Sequence, residues 1–257
     1  AAIAGCSDVI IATKNSSIGM AGPAMIKEGG LGDFKASEIG PSKIQYENGV
    51  IDILVENEKD ARRFIKRISP KKDQSLLQLY PLNKFTSPEE ILTYLDPIQE
   101  GITMGVISDA GCPGVADPGA EIVKMAHRKN IVVRPLVGPS SILLALMSSG
   151  LNGQNFAFNG YLPIDKSKRQ KEIKKLEKKS YDYNQSQLFI ETPYRNDQLL
   201  QDLLKILDRN TEVCVACDIS LPTEYIKTFT VQQWKKIKLE LHKRPAIFII
   251  HKDPLSV

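Results

Sequence analysis

The chain has 257 residues, 42% of them hydrophobic and 25% charged, so it can bury one large core or two modest ones and is not disordered by composition. No apolar run reaches the ~18 residues that would mark a transmembrane helix. The formal net charge of +4 permits a polyanionic partner without demanding one. The first ten residues, AAIAGCSDVI, have no basic n-region; they read as the interior of a longer sequence or a processed chain, not as a signal peptide. Four cysteines, Cys6, Cys112, Cys214 and Cys217, are too few and too scattered for a disulfide scaffold, which places the chain in a reducing cytoplasm.

In chain order, residues 7–13 read as a short strand, and 15–50 as Gly-rich loop with short helical turns. From 51 the pattern becomes regular. Ile51–Val55 read as a strand, and Glu58–Ile68 as a helix with Ala61, Phe64, Ile65 and Ile68 on one face. Leu76–Leu79 read as a second strand. Ser87-Pro88-Glu89-Glu90 predicts a helix start with Ser87 as N-cap, Pro88 in the first position and Glu90 closing a capping box. Ile102–Ile107 is a short apolar run that fits a buried strand. It ends in Ser108-Asp109-Ala110-Gly111-Cys112-Pro113-Gly114, then Val115-Ala116-Asp117-Pro118-Gly119, before a helix over 120–129. Minimal strand-to-helix connections need ~2 to 6 residues; this one is longer, and it follows a strand in the position where open α/β sheets place ligands.

A strand is expected at 131–136. Gly138-Pro139-Ser140-Ser141 then opens an almost wholly apolar helix, 141–149. A Ser-rich helix start can hold an anion or simply cap the helix. Leu151–Gln154 mark a domain boundary, giving an atypical segment 1–55, a first domain 56–152 and a second domain 153–257. In the second domain, strands are expected at 156–162, 187–191, 212–219 and 246–250, with helices at 197–207 and 231–237 and a hairpin around 222–230. The run KSKRQKEIKKLEKK at 166–179 has eight basic and two acidic residues and a thin apolar stripe of Ile173 and Leu176. It reads as a surface helix, either merely solvated or in contact with a phosphate backbone. Glu191 and Arg195 stand four apart at a strand-to-helix turn, as an ion pair or as reactive groups. Cys214 and Cys217 sit in the buried-strand pattern EVCVACDI, so the C-x-x-C reads as structural and no metal site is expected. Alternating strands and helices argue for a parallel first sheet, and the sparser helices of the second half for a mixed one.

Four segments share one resemblance: SDAGCPGVADPG at 108–119, V-x-P-L-V-G-P-S-S at 133–141, F-x-G-Y-L-P at 158–163 and LFIETPYR at 188–195. Together they resemble the tetrapyrrole methylase superfamily, in particular its branch that 2′-O-methylates a cytidine of 16S ribosomal RNA, over roughly residues 55–257. The resemblance implies a two-domain α/β fold, S-adenosyl-L-methionine as cofactor, 16S rRNA as substrate and a homodimer. It also implies a cofactor site lined by Ser108, Asp109, Ala110, Gly111, Pro113, Gly114, Val115, Asp117, Gly138, Pro139, Ser140 and Ser141. A ribose hydroxyl is a weak nucleophile, so a base would help; Asp109, Asp117 and Glu191 are the candidates. Two alternatives stay open: a porphyrin or corrin methylase acting on a small molecule, and a binding protein without activity because its first-strand region is foreign. That region, roughly residues 3–60, is similar instead to a segment of the acyl-CoA carboxylase carboxyltransferase family. The similarity runs through IATKNSSIGMAGPAMIKEGGLG, and Gly19, Gly22, Gly29, Gly30 and Gly32 match that family's turns.

Overall fold

The structure is a computed structural model, and it describes residues 52–55, 57–83, 85–99, 104–108 and 111–254. The expected strand at 7–13, the Gly-rich stretch 15–50 and nearly all of the carboxyltransferase-like segment lie outside the described residues, as do Asp109 and Ala110. The chain divides into two compact units, one ending at Ser140 and one beginning at Ser141.

In the first unit, β1 (Asp52–Val55) is the middle of a three-stranded parallel sheet, flanked by β2 (Gln78–Pro81) and β3 (Met104–Ile107). Ile53 lies opposite Leu79 on one side and Gly105 on the other. The crossover from β1 to β2 is α1 (Glu58–Ile68), which matches its predicted span. Asn57 caps it by accepting from the amides of Lys59 and Asp60, and Glu58 and Asp60 in the first turn against Lys66 and Arg67 in the last complement the helix dipole. Ala61 and Ile65, one turn apart, are buried against Leu77. β2 begins two residues later than the apolar run suggests. Residues Gln74–Leu76 instead wind into a 3₁₀ turn, because Asp73 accepts from the Ser75 amide and Arg62 donates to the carbonyls of Gln74 (2.9 Å) and Leu77 (3.3 Å).

α2 (Pro88–Thr93) has the predicted capping box, with Ser87 and Glu90 exchanging hydrogen bonds. After the short α3 (Asp96–Gln99) and β3, helix α4 (Ala120–Arg128) buries Ile122 and Ala126 against Leu82, Tyr94 and Leu95. The strand expected at 131–136 does not form. Ile131 closes α4 by donating to the Ala126 carbonyl (2.8 Å) and packs on that core, but Leu136 is 82% exposed. A strand needs a ladder as well as apolar side chains, and this segment has neither a pairing neighbour among the described residues nor, at Pro135, a backbone donor.

The second unit is a five-stranded mixed sheet in the order β4-β5-β8-β6-β7. Its strands are β4 (Phe156–Tyr161), β5 (Ser186–Ile190), β6 (Glu212–Cys217), β7 (Tyr225–Thr230) and β8 (Ala246–His251). β4 and β5 are parallel and the remaining pairs antiparallel. α5 (Ser141–Ser149) packs Ala145 and Leu146 on one face of this sheet, so the unit begins at Ser141 and not after the Leu151–Gln154 turn. The other face is covered by α6 (Lys166–Tyr183), α7 (Asn196–Ile206) and the single-turn α8 (Val231–Trp234). Trp234, buried there, donates its indole N–H to the Val213 carbonyl at 2.8 Å.

Strand alternation explains the cysteine pair. Cys214 falls in the core under α5 and Cys217 in the core on the opposite face. Three residues apart on one strand, they point away from each other and cannot hold one ion between them. Burial pushes the Cys214 thiol up and the Cys217 thiol up to about 11, so both are held as neutral thiols.

Candidate functional site

β3 delivers the chain to Ser108, and the loop that follows is built on left-handed backbone. Gly111 (φ 82°), Gly114 (φ 77°), Ala116 (φ 57°) and Gly119 (φ 139°) all have positive φ. Two hydrogen bonds fold it into consecutive tight turns, from the Val115 amide to the Cys112 carbonyl (3.1 Å) and from the Gly114 amide to the Pro118 carbonyl (3.2 Å). Gly114 and Gly119 thereby meet backbone to backbone. A Cβ on Gly119 would lie 3.1 Å from the Gly114 nitrogen.

Of the second segment singled out by sequence, Gly138–Ser141, the part within the first unit, Gly138–Ser140, comes to the same place. The Cys112 thiol lies 3.4 Å from the Pro139 carbonyl oxygen and donates to it. This contact joins residues 27 positions apart in sequence. Around it, the backbone at Gly111 and at Gly138 is bare, with nothing within 4 Å of where a Cβ would stand. Exposed main chain on two converging turns is the surface a polar ligand uses when backbone groups must approach it closely. Asp117 is half-buried in the same loop, Val115 is exposed, and Ser108 and Ser140 are half-buried. These residues fit an elongated polar cofactor held by main chain and hydroxyl groups.

Pro113 and Gly114 also edge an open groove of about 730 Å³ whose other wall is α4: Ala120, Val123, Lys124 and His127. Sequence reading passed over Lys124 and His127. The available signal was periodicity, since positions 120, 123, 124 and 127 share one helix face, opposite the buried Ile122 and Ala126.

Ser141, the first residue of α5, and Glu191 belong to the second unit. Glu191 follows β5 and is buried. Its carboxylate pairs with the Arg195 guanidinium and accepts from the Thr192 amide at 2.7 Å. The two residues that sequence left as either ion pair or reactive groups do pair with each other. So the structure gathers Ser108, Gly111–Asp117 and Gly138–Ser140 within the first unit, and gives Glu191 its own partners in the second.

The family profile of the tetrapyrrole (corrin/porphyrin) methylases matches residues 52–234. Among curated relatives, the ribosomal RNA small subunit methyltransferase I of Vibrio cholerae is 30% identical over 148 residues, 58% of this chain and 50% of that protein. Its namesake in Thermotoga maritima is 34% identical over 142 residues, 55% of this chain and 61% of that protein. The namesake in Leptospira borgpetersenii is 33% identical over 181 residues, 68% of this chain and 67% of that protein. The chain thus spans about half to two thirds of the length of these relatives. The fold is similar to the crystal structure of the methyltransferase CobJ, with a TM-score of 0.54 and 17% identity over 85% of this chain and 90% of that one. The carboxyltransferase-like stretch, roughly residues 3–60, overlaps the family match only at its end and finds no support among these relatives. With the methylase motifs, the mixed two-unit α/β fold and a profile match from the first described strand to Trp234, the chain belongs to the tetrapyrrole (corrin/porphyrin) methylase family.

Proposed function

We propose that the chain is an S-adenosylmethionine-dependent methyltransferase whose acceptor is the ribose 2′-hydroxyl of a cytidine in 16S ribosomal RNA. The observation that carries this reading is the Gly111–Gly119 loop joined to the Gly138–Ser140 turn through Cys112 and Pro139, in a chain of this family. The names of the relatives support RNA as acceptor. The cofactor would rest on loop 108–117 and turn 138–140, with Asp109, Ala110 and Ser141 included on sequence alone. S-adenosylmethionine supplies an electrophilic methyl group when bound. The work left to the chain is alignment and exclusion of water, and alignment is worth up to ~7 to 11 kcal/mol in favourable cases. The Gly-built turns suit that task because they are stiffened by their own hydrogen bonds before any ligand arrives.

Of the three carboxylates offered as base, Glu191 is committed to Arg195 and the Thr192 amide, which suits a positioning role. Asp109 and Asp117, on the loop itself, are the candidates for accepting the ribose proton. The same reading puts the protein in the cytoplasm as a homodimer; no helix of the described residues is long and apolar enough to cross a membrane.

Calorimetric titration with S-adenosylhomocysteine, followed by transfer of labelled methyl from S-adenosylmethionine to 16S RNA or to uroporphyrinogen, tests the proposal. Stoichiometric binding and label in ribose are expected. Label on uroporphyrinogen alone would replace RNA by a tetrapyrrole. A folded chain that binds no S-adenosylhomocysteine would end the methyltransferase reading.

A further inference from the structure

α6 is sided. Arg169, Ile173, Leu176 and Ser180 are buried, a stripe at the three- and four-residue spacing that faces the sheet. On the far side Lys168, Lys171, Lys174, Lys175 and Lys178 are exposed. Two of these are matched on their own helix: Lys175 with Glu172 at 3.2 Å, and Lys178 with Asp182 at 2.8 Å. Among the described residues, Lys168, Lys171 and Lys174 have no carboxylate within ion-pair distance. They recur every third residue, so they form one row along the helix with a rise of about 4.5 Å per step.

This arrangement works against the helix that bears it. Lysines three and four apart repel each other. Lys166 and Lys168 stand in the first turn, where the helix dipole disfavours cations, and only the N-cap carboxylate of Asp165, which accepts from the Lys168 amide, offsets them there. A helix that keeps such charges against its own local interest is suited to a polyanion that neutralises them. The row also has no exposed aliphatic or aromatic residue between its lysines, since Ile173 and Leu176 are both buried. A protein partner or a membrane surface would want an apolar anchor there; a phosphate backbone does not.

We propose that the row Lys168–Lys171–Lys174 on α6 docks the phosphate backbone of the RNA acceptor. The inference rests on the RNA reading given above and adds the surface that holds the RNA. Its mark is salt dependence, because each phosphate neutralised releases counterions.

The test compares the full chain with K168Q/K171Q/K174Q, using fluorescence anisotropy with a 16S rRNA transcript over a range of salt concentrations. A second triple variant, K205Q/K235Q/K236Q, removes the same charge from exposed positions elsewhere in the second unit. The α6 variant should lose tenfold or more in affinity at low salt. Its plot of log affinity against log salt should flatten by about two to three units, three contacts at roughly 0.7 to 0.9 each. S-adenosylhomocysteine binding, read on the same sample, should be unchanged, which excludes misfolding as the cause. Equal losses in the two triple variants would mean that only net charge matters, and the row would have no special part. An unchanged slope in the α6 variant would overturn the surface and leave RNA methylation standing. A wild-type chain that binds S-adenosylhomocysteine but no RNA would overturn the RNA reading and the surface with it.

Discussion

Gly119 is where the candidate site tolerates least. Its φ of 139° is open only to glycine, and a methyl group there would press on the Gly114 backbone at 3.1 Å. Strain of this kind costs about 1 to 3 kcal/mol, and here it can be relieved only by moving the loop. Gly119→Ala should therefore weaken S-adenosylhomocysteine binding at least tenfold in calorimetry while the second unit stays folded. Gly138→Ala is the contrasting case: nothing lies within 4 Å of its Cβ position, so the unliganded protein should keep its melting temperature. Sequence made the loop visible through its density of Gly, Pro and Asp. It could not say which glycine is irreplaceable, because that depends on two backbones meeting across the turn. Glu191 teaches the same lesson. Its spacing to Arg195 allowed an ion pair or chemistry, and only burial and the Thr192 amide show how fully the carboxylate is engaged.

At the scale of the element, α6 divides its basic residues between two jobs. The sequence run counts Arg169 with the lysines, yet Arg169 turns inward. Its Nε and Nη2 donate to one Asp202 oxygen at 2.9 and 2.7 Å, and its Nη1 donates to the carbonyls of Pro163 and Ile164. This pair pins α6 to α7 with both side chains buried. Arg169→Ala would leave Asp202 buried without its partner, at a cost of about 3 to 5 kcal/mol, seen as a lower urea midpoint. Arg169→Met with Asp202→Leu should recover most of that loss, since no charge is then stranded. Boundaries of α1 and α5 were legible because caps and periodicity are local. The failed strand at 131–136 was not, because Val132, Val133 and Leu136 have the right propensity and only pairing decides whether a ladder exists.

For the molecule as a whole, the two units have cores of different quality. In the second, β8 is buried along its entire length and both faces of the sheet are covered. In the first, β3 is only half-buried and the described core is smaller. Native-state hydrogen exchange should find the slowest amides in β5, β6 and β8, and faster exchange throughout β1–β3. Comparable protection in the two sheets would show that the first unit is better supported than its packing suggests. The parallel first sheet and mixed second sheet could be read from the alternation of elements. The strand order of the second could not, since no local pattern tells β8 to enter between β5 and β6.

That order has a consequence in time. As the chain is synthesised, β4 pairs with β5 and β6 pairs with β7, two separate ribbons with a gap between them. The strand that closes the gap, Ala246–His251, is the last of the described strands to emerge. Until then the apolar edges of both ribbons stand open, so this unit is most exposed to aggregation between the emergence of β7 and that of β8.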